Sequence, residues 1–312
     1  MISCAEFIPA YSELFCFLDA KEGMKGVKQY WDFRFNPKST NTRLGKALQK
    51  EGLRGCYTYW SGTLNEEAAD FTMYLNEPAG WFHLVMHHCP SKGRLLECQE
   101  EFGYQPYPHY CLHCDCYRYA IEQVGLNYIY NFSGTDRASC SILIYDPKVF
   151  NGQVIVDENT LVMDKKASDN AYFHPEFHNS LNAGVNYIGE RFGKTGLQEF
   201  FRGYTQKVLG RTIVGIKERG LSALEELIRG SYEKENALDV LELIRTDKTL
   251  QVNVSACPAI GHIEALGYCV SPWYRYTTEM VMESLAESTN LSFTMDSYDE
   301  KTGKAQYHFV VK

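Results

Sequence analysis

The sequence repeats itself once, and this constrains the fold more than any other feature. Gly52-Leu53 and Gly220-Leu221 each follow a charged helical stretch, and Cys89-Pro90 with Gly93 recurs as Cys257-Pro258 with Gly261; both pairs lie 168 residues apart. Upstream, Phe7-Ile8-Pro9 matches Phe173-His174-Pro175, and Gly23 and Gly26 match Gly193 and Gly196 inside aromatic-rich helical segments. Agreement over roughly 140 residues with only small insertions reads as an internal duplication, the kind of signal that governs a whole fold. It also supplies an internal control. What both copies keep belongs to the fold, and what one copy alone carries is a candidate for function.

Copy A is expected over 1–145, a linker over 146–170 and copy B over 171–312. Hydrophobic periodicity in copy A predicts helices at about 9–21, 24–35, 41–51 and 53–62. The run 36–41 breaks the second helix and caps the third. Phe71–Leu75 and Trp81–Cys89 then read as a hairpin around the turn 76–80. Helices at about 91–101 and 110–124 follow, and a second hairpin of 126–132 and 138–145 closes the module. Copy B repeats this order, with strands at 238–244 and 249–257, helices at 259–266 and 273–288, and a final hairpin at 291–311. Gln153-Val154-Ile155-Val156 in the linker is expected to add an edge strand. Each module is thus helices, hairpin, helices, hairpin: an α+β fold with an antiparallel sheet of about four strands covered by helices.

Composition limits the function classes. The 312 residues suit two domains, and 45 % hydrophobic with 14 % aromatic content can fill two cores. A net charge of −8 argues against a nucleic-acid or anionic-membrane partner. The sequence shows neither a signal peptide nor an apolar run long enough to span a membrane. With no export signal, the eleven cysteines are expected as reduced thiols in the cytoplasm. No phosphate-cradling glycine loop, dinucleotide fingerprint or serine elbow is present, so no nucleotide cofactor is expected.

The candidate chemistry sits in copy A. Six cysteines lie between Cys89 and Cys140, densest in His109-Tyr110-Cys111-Leu112-His113-Cys114-Asp115-Cys116. Cys111 and Cys114 have the spacing of a zinc half-site, with Cys140, Cys89, His87 or His88 to complete it; the same thiols also suit a buried, metal-free role. Anchored on Tyr110 and Tyr274, copy B has Arg275, Thr278 and Trp273 where copy A has Cys111, Cys114 and His109, and only the acid is kept, as Asp115 against Glu279. The fold therefore does not require the thiols. Strand alternation, calibrated on Leu250, Val252 and Val254, puts Phe82, Leu84 and Met86 inward and His83, His87 and Cys89 on the opposite face. His174 and His178 have helix-face ligand spacing, yet a proline between them reads as a solvated helix start. The tyrosines of 104–130 read equally as a ligand pocket and as core.

The strand ending in Cys89, the Cys111-x2-Cys114-Asp115 run and the glycine-bearing hairpin from Gly134 to Cys140 resemble the L-2-amino-thiazoline-4-carboxylic acid hydrolase family. The last part is also similar to the 4-vinyl reductase small-molecule-binding domain. The resemblance covers 7–145 and, more faintly, copy B; the duplication departs from the family. It implies zinc held by Cys111 or Cys114 with Cys140, and a small-molecule ligand. The resulting expectation is a hydrolase for a small sulfur- or nitrogen-containing molecule, with Cys111, Cys114, Cys140 and Cys89 as metal ligands. Asp115 and His87 would move protons, and His88, His109 and Tyr110 would contact substrate. A non-catalytic metal- or ligand-binding sensor or carrier fits the same residues.

Overall fold

The computed structural model describes residues 1–35 and 42–312. The expected break and cap at 36–41 lies outside them. Helix α1 (Phe7–Phe35) is interrupted at Gly23, where φ is 66° and ψ −172°. Helix α2 (Arg43–Glu51) starts at Thr42, whose Oγ1 accepts the Gly45 N–H at 3.0 Å. It is followed by α3 (Arg54–Glu66), β1 (Asp70–Asn76), β2 (Trp81–His88) and α4 (Pro90–Phe102). A 3₁₀ helix (Tyr110–Tyr117) leads into α5 (Arg118–Gln123), and β3 (Asn127–Gly134) and β4 (Ser139–Tyr145) complete the second hairpin. After β5 (Leu161–Lys165), the order returns: α6 (Glu176–Val208), α7 (Gly210–Arg219), α8 (Leu221–Glu233), β6 (Leu241–Arg245), β7 (Thr249–Val254), α9 (Pro258–Ala265), α10 (Tyr276–Glu287), β8 (Leu291–Tyr298) and β9 (Ala305–Val311). Helix α6 is interrupted at Gly193 with φ 64° and ψ −166°, nearly the values of Gly23. A side-chain-bearing residue is strained at such positive φ, which is why glycine occupies both breaks.

The fold is α+β with two antiparallel sheets, ordered β3-β4-β2-β1-β5 and β6-β7-β9-β8. Leaving β5 aside, corresponding hairpins take corresponding places in the two sheets. The chain divides into two compact units. One holds the first sheet and comprises Lys21–Glu97 and Pro108–Tyr172; the other holds the second sheet and comprises Met1–Ala20, Cys98–Tyr107 and Phe173–Lys312. Residues 1–20 and 98–107 thus group with the second sheet, and the unit boundary on α1 falls close to the Gly23 break.

In the first-sheet unit, Phe71, Met73 and Leu75 of β1 and Phe82, Leu84 and Met86 of β2 face Leu44, Leu48, Trp60, Leu64 and Ile121 on the helices. Trp60 stacks on Phe82 at 5.6 Å. Each such fully buried side chain contributes roughly 1.5–3 kcal/mol. In the second-sheet unit, Leu250, Val252 and Val254 are buried with Tyr307 and Phe309, as the alternation predicts. The expected edge strand at 153–156 is not formed: Ile155 and Val156 are exposed, and the added strand is β5, paired with β1 from Phe71↔Lys165 to Leu75↔Leu161. The reason is a polar turn. Asn76 Nδ2 donates to Asp157 Oδ1 and Thr160 Oγ1 at 2.8 and 3.1 Å, which brings residue 161 rather than 153 alongside the end of β1.

The α2–α3 crossing is close. A Cβ on Gly55 would lie 2.4 Å from the Ala47 carbonyl oxygen. At the matching positions of α7 and α8 the small residue has changed sides: Gly215 faces Ala223, with 4.0 Å between a Cβ built on Gly215 and that of Ala223. Gly55→Ala is therefore expected to cost about 1–3 kcal/mol through overpacking. Adding Ala47→Gly should recover part of that loss, because the crossing can then shift. Urea denaturation of the two single variants and the double variant gives the coupling; plain additivity would mean the two crossings are not held in the same way.

Candidate functional site

The first-sheet unit brings the four predicted cysteines into one neighbourhood. Cys140 pairs with Met86 across β2 and β4, and Leu84↔Ile142 and Phe82↔Ile144 continue the same buried row, so the Cys140 side chain lies on the helix-covered face. Cys89 follows β2. Its N–H donates to the Ala138 carbonyl at 2.6 Å, and its sulfur accepts the Lys92 N–H at 3.4 Å at the start of α4. Its thiol packs against the core beside Cys140. The expectation that Cys89 shares a face with His87 is thus corrected: alternation ends with β2, and the turn into α4 carries Cys89 to the inner side.

Cys111 and Cys114 come from a 3₁₀ helix where an α-helix was expected. That difference decides their geometry. With three residues per turn, positions i and i+3 eclipse, so Cys111, Cys114 and Tyr117 fall on one edge. The Cys114 thiol has Cys111, Cys89 and Cys140 as electrostatic neighbours, and Cys111 has Lys92 and Cys140. Burial holds every one of these thiols in its protonated form. It pushes Cys111 up to about 11, against the pull of Lys92, and raises Cys89, Cys114 and Cys140 as well, the last two against the Tyr130 hydroxyl.

Two further groups sit at this cluster: His113, to which the sequence reading gave no role, and Tyr130, one of the tyrosines it read as pocket or core. The ring of His113 lies edge-on to Tyr110, and its Nδ1 is 2.5 Å from the Tyr110 carbonyl. A carbonyl only accepts, so Nδ1 carries the proton and Nε2 keeps a lone pair. That Nε2 is 3.6 Å from Cys114 Sγ, which donates to it. Burial holds the imidazole neutral, with its pKa lowered to about 4 despite the Tyr110 carbonyl. The Tyr130 hydroxyl reaches the thiols of Cys114 and Cys140. His113 was legible as part of the Cys/His run; Tyr130 is placed only by the pairing Tyr130↔Ile142.

The remaining predicted residues lie in other settings. Asp115 accepts from Arg118 Nε and Nη2 at 3.0 and 2.6 Å. Its counterpart Glu279 likewise accepts from Arg275 Nε at 2.9 Å, so an acid–arginine pair occurs in both halves. His87 is on the outer face of the sheet, its Nε2 2.8 Å from Thr72 Oγ1, which donates to Asp164 at 2.7 Å. His88 lies over Gly93, where a Cβ would come within 2.2 Å of its Nε2. His109 is exposed and its carbonyl accepts the Leu112 N–H, while Tyr110 is buried.

A second cluster contradicts a sequence expectation. His174 and His178 are not a solvated helix start; both are buried, at 4 % and 1 % exposure. His178 Nε2 meets Glu235 Oε2 at 3.0 Å, and Glu235 Oε1 accepts the Cys4 N–H at 2.5 Å. Burial opposes ionisation of Glu235, but His178 and the Cys4 N–H outweigh it and hold the carboxyl below the usual range. Burial and the Glu235 charge push the Cys4 thiol up to about 12. The partners of His178 lie far off in sequence, which is why helical spacing alone misread it.

Among the described residues, no helix is long and apolar enough to cross a membrane. Comparison with protein-family models, curated proteins and solved structures finds no match. Function therefore rests on the residues themselves.

The raised thiols give a direct test. At pH 8 the metal-free protein should alkylate first at the exposed Cys269. Cys111, with its pKa near 11, should react slower than a free thiol by roughly two orders of magnitude and accelerate as pH rises towards 11. Mass-spectrometric mapping of iodoacetamide adducts against pH checks this; rapid labelling of Cys111 at pH 8 would show an activated thiolate instead.

Proposed function

We propose that this protein is a small-molecule-responsive, metal-binding protein whose working site is the thiol cluster of the first-sheet unit, with Cys89, Cys111, Cys114 and Cys140 holding a zinc ion. The observation that carries the reading is the convergence of four thiols from three separate segments at positions where the second half keeps only one, Cys257. The donor types fit, and since no three of these sulfurs lie within 4.8 Å of one another, binding would have to draw them together. Thiolates are the preferred partners of zinc and related soft ions, and an all-thiolate set is typical of closed sites that hold structure rather than turn over substrate. Coordination also reverses the thiol energetics, since a bound metal deprotonates its cysteine ligands. The aromatic side chains beside the thiols, Tyr117, Tyr128 and Tyr130, are the candidate contacts for a small ligand. We further infer that the two halves descend from one duplicated module, supported by the paired glycine breaks, the common strand order and the exchanged Ala47/Gly55 and Gly215/Ala223 pairs. Eleven cysteines, none in a disulfide, support a reducing, cytoplasmic setting.

A second reading, hydrolysis of a small sulfur- or nitrogen-containing molecule, is favoured by one observation. The neutral His113 Nε2 and the Tyr130 hydroxyl stand beside the thiols and can hold or pass a proton. In that reading they take the roles expected of Asp115 and His87, because Asp115 is held by Arg118 and His87 lies on the other face of the sheet.

Metal analysis of protein purified without a histidine tag should show zinc, and Cys111→Ser/Cys114→Ser should lose one ion per chain. An unchanged metal count in that variant would remove the proposal. If the site is structural, chelation should lower the melting temperature of the wild type and leave that of the double variant unmoved. Turnover of 2-amino-thiazoline-4-carboxylate, followed by thiol release and abolished by His113→Gln, would favour the hydrolase reading; no thiol release would leave the binding reading.

A further inference from the structure

We propose that Cys4, His178 and Glu235 form a zinc-binding site in the second-sheet unit, separate from the thiol cluster and independent of its interpretation. One nitrogen of His178, the sulfur of Cys4 and one oxygen of Glu235 all lie within 4.8 Å of one another, the only such set of three or more His, Cys, Asp or Glu side chains among the described residues. They arrive from three distant points in the chain: the short 3₁₀ turn Cys4–Glu6, the first turn of α6, and the segment after α8. Exposures of 1 %, 1 % and 4 % leave none of the three groups to bulk water.

Charge and donor chemistry both point to a divalent transition ion. A buried carboxylate is costly unless paired, and beside Glu235 stand the Cys4 thiol and the imidazoles of His178 and His262; among the described residues no lysine or arginine forms an ion pair with it. A thiolate and a carboxylate together neutralise one divalent cation. Binding would release the Cys4 proton to solvent and leave the site without net charge. Sulfur, imidazole nitrogen and carboxylate oxygen are the three ligand types that zinc accepts, and three protein ligands leave a fourth position open. His178 supplies a further sign. Its Nδ1 is buried and has no hydrogen-bond partner, while Nε2 is engaged by Glu235. With its proton on Nδ1, the ring offers the Nε2 lone pair on the side where Glu235 lies, so both groups can face one cation.

His262 marks the open side. Its Nε2 is 3.8 Å from Glu235 Oε2, its ring is parallel to that of His178 at 5.6 Å, and it is the more exposed of the two. It lies outside the mutual 4.8 Å set and serves as an outer partner that orients Glu235. In the register that pairs Phe7 with Phe173, Ile8 and Ser12 occupy the places of His174 and His178, so the first half has no matching histidine.

The test uses the full-length Cys111→Ser/Cys114→Ser chain, which removes two thiols of the other cluster. Cobalt(II) added to the metal-stripped protein should bind one ion per chain with a thiolate-to-cobalt charge-transfer band, and X-ray absorption should find one sulfur per metal. Cys4→Ala should abolish the band, and His262→Ala should weaken binding about 10–100-fold. Absence of stoichiometric binding, a coordination shell with no sulfur, or a band that survives Cys4→Ala in a variant with wild-type circular dichroism would each overturn the proposal. If Cys4→Ala fails to fold, the sulfur count on the parent chain, repeated with Cys89→Ser and Cys140→Ser added, decides the question.

Discussion

The register of β4 against β2 is the constraint on which the thiol cluster depends. Met86↔Cys140 places that cysteine on the helix-covered face. Because side chains alternate along a strand, a slip of one residue would turn Cys140 outward and bring Ser139 or Ser141 inward. The register is fixed by burial, since the same slip would expose Ile142 and Ile144. The hydrophobic effect that closes the first-sheet core thus also aims Cys140 at the 3₁₀ helix carrying Cys111 and Cys114. Tyr128 ties the other side down, its hydroxyl donating to the Cys114 carbonyl at 2.8 Å.

The two candidate clusters answer the problem of buried polarity differently. The thiol cluster carries no charge: its sulfurs are held protonated by burial, and its histidine is neutral. Such a site takes up an ion only by giving up protons. The Cys4–His178–Glu235 cluster already contains a carboxylate held in its ionised form, stabilised by one imidazole and one backbone N–H. The case for a cation rests there on the convergence of three ligand types, and at the thiol cluster on the donor chemistry.

Much of the fold was legible because its signals are local. Period-two alternation located β1, β2 and β7, the repeat placed β8 and β9, and the matched glycines at 23 and 193 lie where both long helices break. The inward set Phe82, Leu84 and Met86 followed from the strand of the second half. The misreadings share one cause, a long-range partner that local pattern cannot see. Gln153–Val156 has strand-like composition, but the Asn76 contacts select 161–165 as the edge strand. Cys89 followed alternation on paper and left it at the turn into α4. His174 and His178 look like a solvated helix start until Glu235, over fifty residues on, is placed against His178.

The sequence by itself determined the α+β class, the repeated order of elements and the concentration of thiols in one half, because these follow from periodicity, composition and comparison of the chain with itself. Tertiary structure decided which side chains meet. It sent His87 and Cys89 to opposite sides, held Asp115 with Arg118, made the Cys111 segment a 3₁₀ helix so that Cys111 and Cys114 share an edge, and assembled Cys4, His178 and Glu235 from three remote segments. Side-chain convergence depends on register, on turn geometry and on the balance of desolvation against pairing, and these are set only when the distant parts of the chain are packed.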